Sequence, residues 1–415
     1  VLQSIAITGS PTKTAYGKGE ALDMSGLVVT GTYSDGTTKM ETVSESTISG
    51  YNKDATGEQT LTVTVGGKTA TFPVTVSEPP IGLDDLASAE GGDDAADPVS
   101  VALSDSFTND VWEAALSTIA EAGKYISLDL SACAMPDTEF DPGTGAGADK
   151  ITALVLPNTA KSIKAGTASN PTFSAFTNLT VINGAGVETI GAQAFRGCAS
   201  LTVVNLPATT TIGNYAFRGC ASLESVSLPV AQTIGLSVFH SCLNLTTITI
   251  DPANTAFTTH NGMLLNKTET TLIAYPSATG DITLPSIIEV VAGAFSGTSL
   301  TAVSLPVATT IGAQAFQDCA SLASVNLPMT TTIGYAACVR CYSLTTVNLP
   351  ATPPAIEDII FYDSDSDGTI TISVPTGAVS AYTSAWGVDA NTPAHGNESV
   401  YGFGHKAIII TDAAQ

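Results

Sequence analysis

With 415 residues, 44% of them hydrophobic, the chain is long enough for two or more domains, each with its own core. Its 38 acidic and 14 basic residues leave a formal net charge of -24, which argues against nucleic acid and anionic membranes as partners, since both call for clustered Lys and Arg. No run reaches the roughly 20 apolar residues of a membrane helix, and the excess charge suits a soluble monomer.

The chain opens at "VLQSIAITGS", without an initiator Met or a basic and then apolar leader. A secreted chain with its signal removed would start this way, and so would a shortened one. Residues 1–78 read as strands. "LVVTGTYSDGTTKMETV" and "QTLTVTVGGKTATFPVTV" alternate β-branched with polar residues and break at the hairpin dipeptides Asp35-Gly36 and Gly66-Gly67. A small β-sandwich without cysteine is expected. Two stretches, "PTKTAYGKGEALDMSGLVVTGTYSDGTTK" (Pro11 to Lys39) and "GEQTLTVTVGGKTATFPVTV" (Gly57 to Val76), resemble bacterial Ig-like domains of surface proteins. The resemblance implies a spacer or stalk module rather than a catalyst.

Residues 79–98, rich in Pro, Gly, Ala and acids, read as a flexible acidic linker with nothing to bury. "TNDVWEAALSTIAEAG" then places Val111, Trp112, Ala115, Leu116, Ile119 and Ala120 on one face of a helix over about 108–122, with Asn109 as N-cap and Gly123 as stop. Such a helix is well placed to cap the open end of a repeat array. "YISLDLSAC" is expected to be the array's first strand.

The array, over about 99–390, is written in units of 22 residues. Ile190, Ile212 and Ile234 start three consecutive copies, and Val290, Ile311 and Ile333 start a second series with one unit a residue short. Between the series, residues 251–285 read as a unit with an inserted hairpin, and residues 391–415 as a C-terminal tail or cap. Within one unit Leu201, Val204 and Leu206 fit L-x-x-L-x-L, followed by Ile212, Ala216 and Phe217. That period and spacing are the leucine-rich-repeat signature, in which each turn offers one short strand and neighbours bury a shared apolar strip. The expected fold is mainly β: a sandwich followed by a curved solenoid with a parallel concave sheet and a helical N-terminal cap. The wording "IGxxAFxxCxSLxxVxLP" further resembles the BspA-type leucine-rich repeats of bacterial surface proteins, over about residues 125–386. This resemblance implies export to the cell surface and adhesion to host proteins or other cells; a secretory or lipoprotein signal in the native gene would settle the compartment.

Candidate sites are few. Cys198, Cys220, Cys242, Cys319 and Cys341 share one repeat position and read as small buried fillers; Cys338 stands at a Phe position, so its C-V-R-C with Cys341 is a core substitution rather than a zinc or redox motif. Seven cysteines are an odd number, so at least one thiol is free. "DSDSDG" (Asp363, Asp365, Asp367, Gly368) copies half of a calcium loop, but Val374 stands where the bidentate Glu belongs. A solvated acidic turn is the competing reading, and no other cofactor is expected.

Arg196, Arg218 and His240 follow the repeat Phe in consecutive turns. They form either a basic column for an acidic partner or a solvated rim copied by duplication. The outward strand residues, from Val203 and Asn205 to Thr346 and Asn348, are small and uncharged, so contacts are expected instead from the inserted hairpin (Phe257, His260, Tyr275) or the Ig-like module. His240, His260, His395 and His405 lack metal-ligand spacing, and neither G-x-S-x-G nor a phosphate loop is present. The leading expectation is a non-enzymatic extracellular binding protein with a protein partner, a host extracellular-matrix protein being the candidate. The alternatives are a spacer without a ligand and a calcium module.

Overall fold

The computed structural model describes residues 1–55, 57–77, 81–104, 108–357, 360–361, 369–386 and 407–412. The chain divides into two compact units, Val1–Ile81 and Gly82–Gln415.

In the first unit the alternating stretches form two sheets. Leu2–Gly9, Val28–Tyr33 and Thr38–Glu41 make one; Ala15–Gly17, Lys68–Ser77, Gly57–Val65 and Ile48–Ser49 make the other. Gly66-Gly67 closes the tightest hairpin, with Val65 opposite Lys68. Ile5, Val29, Leu61, Val63, Phe72, Val74 and Val76 point inward. Tyr16 is buried with them, and its hydroxyl shares its one proton between the Lys13 carbonyl at 3.0 Å and the Asp23 carbonyl at 2.9 Å. These are the strands and core of an Ig-like sandwich.

The second unit is a parallel β-solenoid. Each regular turn carries two short strands where the sequence suggests one. A three-residue strand such as Val203–Asn205 buries its central Val, and a two-residue strand such as Thr211–Ile212 buries its Ile. Stacked turns pair in register, Val181, Val203 and their neighbours on one ladder and Thr189, Thr211 and Thr233 on the other. Threonine hydroxyls reinforce the stacking: Thr180 donates to Thr152 O at 2.9 Å, Thr202 to Thr180 O at 3.0 Å and Thr330 to Ala308 O at 2.9 Å. Inside, the repeat phenylalanines lie face to face: Phe173, Phe195, Phe217 and Phe239 have successive centroids 4.7, 5.3 and 5.8 Å apart.

The Gly of each Ile-Gly pair is dictated by this stacking. A Cβ on Gly213 would lie 2.3 Å from the backbone nitrogen of Ala192 one turn back, and one on Gly312 would lie 2.5 Å from that of Ala292. Only a residue without a side chain fits between turns this close.

Several expectations need correcting. The helix, here α1 (Asn109–Ala122), is capped by Thr108 rather than Asn109: the Thr108 side chain accepts from Val111 N at 3.4 Å, and Gly123 ends the helix in the left-handed conformation. Val111 is exposed, while Trp112, Ala115, Leu116 and Ile119 are buried. The acidic stretch 79–98 does have something to bury: Leu83–Ser88 forms a turn of 3-10 helix that sets Leu86 fully inside. Array pairing starts one strand earlier than Ile126–Asp129, because Val99–Ala102 pairs with it in parallel. The insert contains not one hairpin but a meander, Phe257–His260, Met263–Asn266 and Thr271–Ala274, whose last strand rejoins the parallel ladder at Glu289–Val290.

At the far end the second helix, α2 (Val379–Trp386), buries Tyr382 and Trp386 against the array, and Ala407–Asp412 adds a parallel strand to Thr369–Val374.

Candidate binding edge

Between the Thr-Ile strand and the next three-residue strand, each turn rounds a corner that holds the two left-handed positions of the repeat. The first is filled by Gln193, Tyr215, Ser237, Gly293, Gln314 and Ala336 at φ 51° to 71°. The second is filled by Gly197, Gly219, Ser241, Gly297, Asp318 and Arg340 at φ 57° to 78°. Corners of successive turns stack through backbone bonds such as Gly197 N to Arg218 O at 2.7 Å and Gly219 N to His240 O at 2.8 Å. The stack crosses the insert without a break: Ser237 N donates to Ala292 O at 3.1 Å, so the Ile234 turn lies directly against the Val290 turn. The residue after each repeat Phe therefore forms one column, from Arg196 through Arg218, His240 and Ser296 to Gln317.

The column is not uniformly basic. Arg196 and Arg218 are partly exposed, but His240 is 1% exposed and bonded through Nε2 to Ser296 Oγ at 3.3 Å. Burial, reinforced by the Arg218 charge, holds its ring down at about 4, so it is neutral at pH 7 and unavailable to an acidic partner. His240 Nδ1, Ser237 Oγ and Gln317 Oε1 are buried without a protein partner among the described residues. Arg196 donates to Ala168 O at 2.7 Å and to Gln193 Oε1 at 3.1 Å. Arg218 lies over the Tyr215 ring at 5.7 Å, and burial and then the Arg196 charge hold its guanidinium below the usual range. Further along, Arg340 pairs with Asp318 at 2.9 Å.

The insert's candidates separate. Phe257 is buried, Tyr275 is half-buried with its ring 6.2 Å from Phe295, and only His260 is exposed. Among the described residues no hydrogen bond, ion pair or ring contact joins them to the arginines, whose partners are Ala168, Gln193, Tyr215 and Asp318. Asp363, Asp365 and Asp367, and with them His395 and His405, lie outside the described residues. Among the described residues no group of His, Cys, Asp or Glu could hold a metal.

Sequence reading missed the apolar part of this corner. At two repeat positions where other turns carry Ala or Asn, the Ile234 turn carries Leu236 and Leu243, 48% and 63% exposed, and the Ile333 turn carries Tyr335 and Tyr342, 44% and 40% exposed. Reading those two columns down the aligned repeats, rather than the strand face alone, would have exposed them.

The cysteine column has a polar role beyond filling. Cys220 Sγ donates to Phe195 O at 3.1 Å, Cys242 to Phe217 O at 3.0 Å, Cys319 to Phe295 O at 3.0 Å and Cys341 to Phe316 O at 3.0 Å, each joining its turn to the one before. All seven cysteines are buried, and none is in a disulfide. Burial pushes Cys198 and Cys242 up to about 12 and Cys319 to about 11, so these three thiols are protonated and inert at neutral pH.

The family models match both parts of this architecture. Residues 146–262 and 275–378 match the BspA type leucine rich repeat region, in six copies, and residues 10–76 match the bacterial Ig-like domain (group 3). The chain belongs to the BspA-type leucine-rich-repeat family and carries an N-terminal bacterial Ig-like domain. A stretch of 77 residues is 42% identical to pectate lyase L of Thermoclostridium stercorarium, covering 19% of this chain and 6% of that protein. Among solved structures, a leucine-rich repeat protein of Eubacterium ventriosum is similar at 20% identity and TM-score 0.40, over 62% of this chain and 84% of the other. The pneumococcal vaccine antigen PcpA is similar at 15% identity and TM-score 0.42, over 85% of this chain and 88% of its own. No helix among the described residues is long and apolar enough to cross a membrane.

Proposed function

We propose that the chain is a non-enzymatic binding protein of the bacterial cell surface, in which the repeat array engages a protein partner in adhesion to host proteins or other cells. The observation that carries this reading is the corner itself. Arginines and exposed Leu and Tyr side chains recur at equivalent repeat positions along one edge, whereas the strand face presents mostly Ser, Thr and Asn. Aromatic, apolar and arginine anchors are what a protein interface uses. The strand face, without such anchors, favours the competing reading of a spacer. Retention on immobilised extracellular-matrix proteins separates the two: specific retention is expected for an adhesin. Retention no better than that of a scrambled acidic polypeptide would leave the spacer reading.

A further inference from the structure

We propose that the corner of the Ile190, Ile212 and Ile234 turns docks an acidic peptide segment of a partner protein, with a carboxylate held between Arg196 and Arg218 and an adjoining apolar side chain resting on Leu236 and Leu243. This assigns a site and a partner chemistry to the binding reading above, on which it rests.

Only three residues of the chain are arginine, and all three lie in this corner. Arg340 has its counterion in Asp318 at 2.9 Å. Among the described residues Arg196 and Arg218 form no ion pair: Arg196 is held by two neutral oxygens, and Arg218 lies over the Tyr215 ring, with the Asp318 carboxylate acting on it only from beyond ion-pair distance. In a chain with 38 carboxylates, leaving two guanidiniums unpaired on adjacent turns stands out. Adjacent turns lie about 4.8 Å apart along a parallel ladder, so the two charges repel at short range. Half-burial of Arg218 adds a desolvation penalty. A carboxylate between the two forks offsets the like-charge repulsion and satisfies donors that make no direct ion pair among the described residues.

The next turn decides which kind of anion fits. Leu243 lies over Gly297, where an added Cβ would come within 2.9 Å of its Cδ2, so the leucine covers the stacked turn while most of its own surface faces solvent. Leu236 is exposed on the same turn. A sulfated sugar or a free phosphate offers nothing to cover two leucines, whereas a peptide with acidic and apolar residues in succession matches both halves of the corner.

The test uses the full chain and a fluorescein-labelled peptide of repeated Glu-Glu-Leu-Leu, followed by anisotropy, with a Gln-Gln-Leu-Leu peptide as its neutral counterpart. The Glu peptide is expected to bind at least about tenfold more tightly than the Gln peptide, with the preference shrinking as salt is raised. Arg196→Gln/Arg218→Gln should abolish the preference, and Leu236→Ser/Leu243→Ser should weaken both peptides. Lys161→Gln, which removes a cation paired with Glu188 elsewhere, should change nothing. If the glutamine pair disturbs folding, Arg196→Lys/Arg218→Lys keeps the charge and loses only the fork, and an intermediate preference is expected. Equal binding of the two peptides, no binding of either, or an unchanged preference in the arginine variants overturns the proposal. So does binding of a heparin fragment through the same arginines when the Glu peptide does not bind. Matrix retention unaffected by the arginine substitutions would sink this site and leave the adhesion reading standing, whereas no retention of the unsubstituted chain would sink that reading itself.

Discussion

Ser241, Asp318 and Arg340 hold φ 58°, 62° and 57° at the repeat position that Gly197, Gly219 and Gly297 fill in other turns. A left-handed conformation costs a residue with a Cβ roughly 1–2 kcal/mol, against roughly 0.5–1 kcal/mol for the extra freedom glycine loses on folding. Ser241→Gly should therefore raise stability by up to about 1 kcal/mol in urea melts. Gly213→Ala should go the other way by about 3 kcal/mol or more, because its Cβ meets backbone that cannot step aside. His240 supplies a second residue-scale prediction. Its folded value is lowered from 6.5 to about 4 with Arg218, Arg196, Asp318 and Arg340 as its charged surroundings, so its neutral form contributes stability fully present above pH 6.5. That contribution is lost as pH falls from 6.5 toward 4, on the order of 3 kcal/mol at most. A His240→Gln chain should show a visibly flatter stability profile across that window, measured by urea melts at each pH. The thiols act at the opposite limb: raised from 9.0 to about 12 for Cys198 and Cys242, they favour the folded state below pH 9, and that advantage disappears as pH climbs from 9 toward 12. Alkylation by iodoacetamide at pH 7.5 should accordingly require unfolding, and labelling of the native chain at the rate of a free thiol would contradict the buried column.

At the scale of elements, the ends of the array matter more than its middle. An internal turn has a neighbour on each side, whereas a terminal turn depends on its cap. Trp112 of α1 stands edge-on to Phe140 with centroids 6.4 Å apart and donates its indole N–H to Pro142 O at 2.6 Å, closing the phenylalanine column at its first turn. Trp112→Ala should cost about 3–5 kcal/mol and lower hydrogen-exchange protection first in Val99–Ala102 and Ile126–Asp129, with protection around Phe316 retained. Uniform loss of protection along the array would show that α1 does not act as an end cap. Much of this was legible in the sequence, because Leu201, Val204, Leu206, Ile212 and Phe217 recur with their copies at a fixed period. The second ladder was not legible: two residues, Thr211–Ile212, are too few to display an alternation. Leu86 escaped notice because one apolar residue among acids has no period at all. His240 read as a surface cation for a different reason. Its repeat position is partly exposed in Arg196 and Arg218, and only the stacking of the Ile234 turn on Ser296, 56 residues away, seals it inside.

On the scale of the whole molecule, the sandwich core around Leu61 and Val63 and the solenoid core around Phe295 and Phe316 have, among the described residues, no residue in common. Cooperativity in unfolding follows shared packing, so cores without common residues are free to melt separately. The units also differ in how their contacts are organised. The sandwich pairs Leu2–Gly9 with Val28–Tyr33 and Gly57–Val65 with Lys68–Ser77, so removing one core side chain weakens the sheet packing throughout. The solenoid couples each turn chiefly to its two neighbours, so a local defect weakens one interface and passes along the array with less force. Two resolved transitions are expected in scanning calorimetry. Leu61→Ala, at a fully buried sandwich position, should displace one of them by several degrees and leave the other within error. Gly213→Ala should displace and broaden the other, because the strained turn divides the array into segments that no longer melt as one. If both substitutions moved a single transition, the two cores would be energetically coupled despite sharing no residue, and the sandwich would have to be treated as part of the array's N-terminal support rather than as an independent module.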